Sequence, residues 1–176
     1  GVVPTSPHEM SLYVQRNYGQ NSAYLQRMTL RTDGFVSVYA PYAGGEMVTK
    51  PLTFSGNRLT INFSTSAAGG LRVELQTPEG KSIDGFTLDD CPEIIGDEIE
   101  RTVAWQGGTD VSRLIGQSVR LRFVMKDADL FALDGLERVD AARRAACIRV
   151  RTGDEGHFLT NVQRGFLVVC GDNRWR

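Results

Sequence analysis

The chain has 176 residues and a mass of 19.4 kDa, the length of one domain or of one domain with an appendage. Its 41% hydrophobic and 23% charged content excludes a collagen-like repeat, a disordered tail and a disulfide-dense mini-protein, and no apolar run reaches the ~18–20 residues of a membrane helix. Twenty basic against 21 acidic side chains give a formal charge of −1, without the basic excess of a dedicated nucleic-acid binder, so neither nucleic acid nor a membrane is expected as partner.

From the N-terminus, Gly1–Pro7 shows no basic start and no long apolar core, so no secretory signal is read there. Strands are predicted at Met10–Val14, Tyr24–Arg31, Phe35–Ala40 and Glu46–Pro51. The alternation is clearest in Leu59, Ile61 and Phe63, in Leu71, Val73 and Leu75, and in Val119, Leu121, Phe123 and Met125. Each such segment has one apolar and one polar face, the pattern of antiparallel strands packed on one side and wet on the other. A further strand is predicted over Ile99–Trp105. Turn signals punctuate the series: Asp33-Gly34, Gly44-Gly45, Ser55-Gly56-Asn57, Ala67-Ala68-Gly69-Gly70 and Thr77-Pro78-Glu79-Gly80. Asp110–Gly116 reads as one short helical turn capped by Asp110. The expected fold is all-β: a two-sheet antiparallel β-sandwich of jelly-roll type.

Beyond residue ~136 the character changes. Residues 1–136 carry a net charge of −4, whereas residues 137–176 carry +3 with arginine as their only Lys/Arg-type side chain. The expected division is therefore a module over 1–136 and an Arg-rich extension over 137–176. A helix is predicted over Glu137–Arg151, around Ala141-Ala142-Arg143-Arg144-Ala145-Ala146. A hairpin of Phe158–Gln163 and Gly165–Cys170 follows, which makes the tail a short mixed α/β element. Cys91, Cys147 and Cys170 show no C-x-x-C spacing, so they indicate neither a zinc site nor a compartment.

Chemistry-bearing patterns are sparse. A nucleophilic triad needs a histidine base, and only His8 and His157 are present, each in a loop-like setting without a G-x-S-x-G elbow. Metalloprotease, P-loop and dinucleotide signatures are missing. The run from Asp89 and Asp90 through Asp97 to Glu100 carries six carboxylates before Arg101, and Asp127 and Asp129 flank Ala128. Such oxygens suit a structural calcium ion, although the spacing is not that of an EF-hand loop and a solvated acidic loop reads the same way. No other cofactor is expected. Carboxylate pairs also serve glycoside hydrolysis, but none stands out from surface charge. Tyr39, Tyr42 and Trp105 sit at predicted strand exits, where a flat ring can stack on the apolar C–H face of a sugar. A tryptophan in a β-sandwich is also commonly core.

Several segments together resemble a known module: Pro4–Tyr13, Leu30–Val38, Thr49–Leu59, Asn62–Gly69, Gly96–Glu100 and Val119–Leu130. Over about residues 2–132 the chain is similar to the C-terminal β-sandwich accessory module of bacterial glycoside-hydrolase-like proteins. Their N-terminal part resembles a five-bladed propeller of the fructosidase and arabinosidase type. In that architecture the propeller carries the catalytic carboxylates, so the resemblance assigns no catalytic residue to this chain. It implies a non-catalytic module that packs on a propeller and holds polysaccharide or oligosaccharide, in an extracellular or periplasmic protein, with Pro4–Glu9 as the linker from the last blade. A purely structural or self-associating sandwich, and an autonomous hydrolase, are the competing expectations. The extension over 137–176 departs from the module's pattern.

Overall fold

The computed structural model describes residues 1–136, 147–152 and 155–160, and these form the expected all-β architecture in two antiparallel sheets. They fall into two compact units, Gly1–Phe35 and Val36–Arg176. The break between these two units lies at Phe35–Val36.

The first unit is a three-stranded sheet in chain order: β1 (Val2–Ser6), β2 (Glu9–Arg16) and β3 (Tyr24–Arg31). Of the segment expected as a linker, Pro4–Ser6 lie in β1, Pro7 and His8 in the turn, and Glu9 opens β2. Cross-strand pairing sets Val2 and Met28 on either side of Leu12, and Leu30 opposite Met10, so one face is apolar. On the other face Arg27 pairs with Glu9 and donates to Ser11 Oγ at 2.9 Å, with Thr5 Oγ1 also 2.9 Å from that hydroxyl. Ser11 is the one fully enclosed side chain of this unit, while Val2, Tyr24, Leu25 and Met28 remain exposed.

The second unit is a larger sheet built on two long strands, β6 (Thr60–Gln76) and β8 (Arg120–Asp134). Strand β7 (Asp97–Thr102) flanks β6. Strands β4 (Val38–Ala40) and β5 (Gly45–Thr49) pair with successive parts of β8. Beside β5 lie β9 (Cys147–Thr152) and then β10 (Glu155–Thr160). The expected helix over Glu137–Arg151 thus ends in strand, because Ile148-Arg149-Val150-Arg151 alternates with period two and β-branched residues favour the pleat. Its earlier part, and the expected strand Gly165–Cys170, lie outside the described residues. The short helical turn is a 3-10 turn, Ser112–Leu114, with the Asp110 carboxylate accepting the Ser112 N–H at 2.8 Å.

The Ala67–Gly70 signal marks a bulge inside β6 and not a turn between two strands. Thr65 pairs with Ala128 and Gly70 with Lys126, so four residues of β6 stand opposite Asp127 alone. Asp127 takes a left-handed φ of 43°. A Cβ at Gly69 would lie 2.4 Å from the Asp127 carbonyl oxygen, so only glycine lets the strands approach here. The bulge also changes which positions of β8 face inward: Leu121, Phe123 and Met125 are buried before it, Ala128 and Leu130 after it. All five join one core with Met47, Phe63, Leu71, Val73 and Leu75, closed over by Phe54, Leu59, Phe86, Val103, Trp105 and Leu114. The opposite, outer face of the sheet is therefore continuous across the bulge.

Candidate functional site

Beyond the bulge, four adjacent strands align a row of outward side chains. Tyr39 of β4 stands opposite Asp129 of β8, Asp129 opposite Ser64 of β6, and Ser64 opposite Asp97 of β7. At the usual strand separation the row spans roughly 14 Å. The neighbours of Asp129 on β8, Ala128 and Leu130, are buried, which turns its carboxylate outward. Ser37 Oγ donates to Asp129 Oδ1 at 2.5 Å and orients that carboxylate.

Two tyrosines adjoin this row. Tyr39 is 54% and Tyr42 63% exposed. Tyr42 rides on the β4–β5 turn, where the Pro41 carbonyl accepts N–H bonds from Gly44 at 2.8 Å and from Asp127 at 3.1 Å. The turn is thereby tied to the bulge of β8. Lys126 places its ammonium 4.2 Å from the Tyr42 ring centroid, a cation–π contact that steadies both side chains. An exposed ring with carboxylate and hydroxyl groups beside it can stack on a sugar and bond its hydroxyls.

Trp105 does not belong to this platform. It is 3% exposed, packs edge-on against Phe86 with centroids 5.1 Å apart, and donates its indole N–H to the Val73 carbonyl at 2.9 Å. The Gln106-Gly107 turn after it closes as a tight pair of backbone bonds between Trp105 and Gly108, both 2.9 Å. That reversal returns the ring to the core instead of letting it exit. The sugar-stacking expectation for Trp105 is corrected accordingly.

The carboxylates expected as calcium ligands are dispersed. Asp90 Oδ2 accepts the Thr87 N–H at 3.1 Å and its hydroxyl at 2.8 Å, the work of a loop cap. Asp89 is exposed nearby, Asp127 sits in the bulge, and Asp97 and Asp129 stand on either side of Ser64. Among the described residues no group of three or more His, Cys, Asp or Glu side chains is placed to hold a metal ion. His8 is exposed at the β1–β2 turn, and the side chain of His157 lies outside the described residues.

Before the bulge, the same outer face carries a network with no counterpart in the sequence reading. Arg122 bonds Glu46 Oε2 through Nη2 at 2.6 Å and Nε at 3.0 Å, and reaches Glu74 Oε1 at 3.5 Å. Glu74, with 5% of its side chain exposed, also accepts from Gln76 Nε2 at 2.5 Å and from the Leu88 N–H at 3.3 Å. Burial acts to lower the Arg122 pKa, but the bonds and charges of Glu46 and Glu74 outweigh it and the net shift is upward. Comparison of the chain with protein-family models, curated proteins and solved structures finds no match to any of them.

Ser37, Ser64 and Lys126, and Arg122 with Glu46 and Glu74, are site residues that sequence reasoning passed over. Alternation marks Ser64 and Arg122 as polar-face positions, but only the pairing of β6 with β7 and β8 gives them neighbours.

Proposed function

We propose that this chain is a non-catalytic accessory module of a carbohydrate-active enzyme, extracellular or periplasmic, which holds glycan on the outer face of its larger sheet. The observation carrying this reading is the pair of half-exposed tyrosines, Tyr39 and Tyr42, beside the Asp129–Ser64–Asp97 row. Tyr39 and Tyr42 stack on sugar rings, and the carboxylates and hydroxyls of the row accept and donate bonds to sugar hydroxyls. The similarity of residues 2–132 to accessory modules of propeller glycosidases supports it from the sequence side. Affinity electrophoresis and calorimetry against a polysaccharide panel test it. Retention by wild type and loss in the Tyr39→Ala/Tyr42→Ala double variant is the expected result, and no retention of any glycan by wild type refutes a binding role.

The apolar face of the β1–β3 sheet favours a second reading, a structural module that packs on a catalytic propeller or on a second copy. Val2, Tyr24 and Met28 share that face and are 43%, 54% and 40% exposed, and three thin strands with so little enclosed apolar surface gain stability from a partner. Light scattering separates the two: a concentration-independent monomer counts against self-association.

A further inference from the structure

Arginine and lysine dominate the outer face on the near side of the bulge. Along β8, Arg120, Arg122, Val124 and Lys126 alternate with buried Leu121, Phe123 and Met125. Strand β6 adds Arg72 opposite Val124, and Gln76 opposite Arg120. Strand β9 continues arginine positions past β5, with Arg149 opposite Val48 and Arg151 opposite Glu46. Of the acids here, Glu46 and Glu74 are both committed to Arg122, and the Glu93 carboxylate lies against Gly70, the partner of Lys126, without forming an ion pair with it.

That leaves Arg72, Arg120 and Lys126 with no carboxylate in ion-pair reach among the described residues. Glu79 feels the Arg120 charge, but it is exposed, is bonded to Thr77 and forms no ion pair with Arg120. Arg120 shows a specific deficit: its Nε is buried and has no hydrogen-bond acceptor. A charged group withdrawn from water without an acceptor is costly, and an anion bound nearby offsets part of that cost through its charge. Guanidinium groups match carboxylate and sulfate oxygens in a planar, two-point geometry. The cations run about 20 Å along β8 from Arg120 to Lys126, and Lys126 touches Tyr42, so the charged strip leads directly into the aromatic platform.

We infer that the glycan held on this face is acidic, its carboxylate or sulfate groups meeting Arg120, Arg72 and Lys126 while its rings stack on Tyr42 and Tyr39. This rests on the carbohydrate-binding reading and narrows it to one substrate class. A neutral sugar leaves these cations without a counter-charge, whereas an anionic group neutralises the strip.

The test uses the full chain in calorimetry at low salt and at 0.5 M NaCl. The probes are polygalacturonate, its methyl-esterified form, alginate, a sulfated glycosaminoglycan, neutral fructan and arabinan, and polyglutamate as an anion without sugar rings. The expected result is binding of an acidic glycan at least tenfold tighter than of any neutral one, weakened at high salt. Arg120→Gln should reduce it by about tenfold, as should the exposed Arg72→Gln variant to a lesser extent, with circular dichroism confirming that each is folded. Equal binding of neutral glycans, insensitive to both arginine changes, overturns the acidic assignment and leaves the carbohydrate reading standing. Polyglutamate binding as tight as that of the acidic glycans overturns it in favour of a general polyanion surface. Failure to bind every probe overturns both readings.

Discussion

Replacing Trp105 by phenylalanine discriminates between a ring that holds the core together and one that meets a ligand. The indole is enclosed by the core and bonds the Val73 carbonyl at 2.9 Å. Phenylalanine keeps an aromatic edge toward Phe86 but has no N–H. The Val73 carbonyl, near the end of β6, would lose its indole partner at a cost of about 1–3 kcal/mol. The smaller ring gives up roughly 40 Å² of buried apolar surface, a further ~1 kcal/mol at about 25 cal/mol per Å². The sum, about 2–4 kcal/mol, corresponds to a fall in Tm of about 4–16 °C for a chain of this size. Thermal unfolding followed by far-ultraviolet circular dichroism measures it. Glycan affinity below the transition should be unchanged, because the ring lies away from Tyr39 and Tyr42 on the inner side of the sheet. An unchanged Tm accompanied by lost glycan retention would refute the placement of Trp105 in the core.

Other expectations follow from the same contacts. Glu74→Ala removes an enclosed carboxylate serving Arg122, Gln76 and Leu88 and should cost about 3 kcal/mol in urea unfolding. Glu46→Ala, at a side chain 30% exposed, should cost under about 1 kcal/mol; equal costs would contradict the burial difference. Gly69→Ala drives a methyl into the Asp127 and Lys126 carbonyls and should destabilise by about 2 kcal/mol or more, whereas Gly107→Ala, with open space around it, should change stability by less than about 0.5 kcal/mol. Burial pushes the Cys91 thiol up, against a bond from the Val73 N–H. In a Cys147→Ser/Cys170→Ser background, Cys91 should therefore resist Ellman's reagent at pH 8 in the native state and react fully in guanidinium, and rapid native labelling would show the thiol to be open. The Ser112 N–H and hydroxyl hold the Asp110 carboxyl below its usual value. A depressed folded-state pKa means stability present above the unfolded value and lost as pH falls through the folded one. The Tm difference between wild type and Asp110→Ala should be constant near pH 7 and shrink below about pH 4, and a difference independent of pH would exclude the carboxylate as its source.

The strands were legible because alternation is a local property. Leu71-Val73-Leu75 and Leu121-Phe123-Met125 announce which residues face the core, and those residues do. What stayed hidden depends on partners far along the chain. Ala67–Gly70 has turn composition, and only its pairing with Lys126–Ala128 turns it into a bulge within one long strand. Tyr39, Ser64, Asp97 and Asp129 come from four strands, and no spacing in the sequence encodes their register. Trp105 admits two readings in the sequence, core and sugar stacking, for a related reason. Gly107 and Gly108 promise an exit from the sheet, but the tight reversal they form brings the ring back under Val73. In the tail, the Ala141–Ala146 run carries helix propensity, while the alternation that makes β9 begins only after it.

The bulge at Asp127 works as a phase shift. Residues with even numbers on β8 point outward as far as Lys126 and inward from Ala128 to Ala132, so the strand carries two patterns written out of step with each other and joined by one odd residue. Deleting Asp127 would preserve every other amino acid and yet force a choice on the segment beyond it. Either Leu130 turns to water and Asp129 into the core, or the whole pairing with β6 slips by one. Substitutions in the outer row are therefore affordable variations in ligand chemistry, whereas length changes at this one position are not. Natural or engineered diversity on this face should be found in side-chain identity, with the number of residues between Lys126 and Ala128 held fixed.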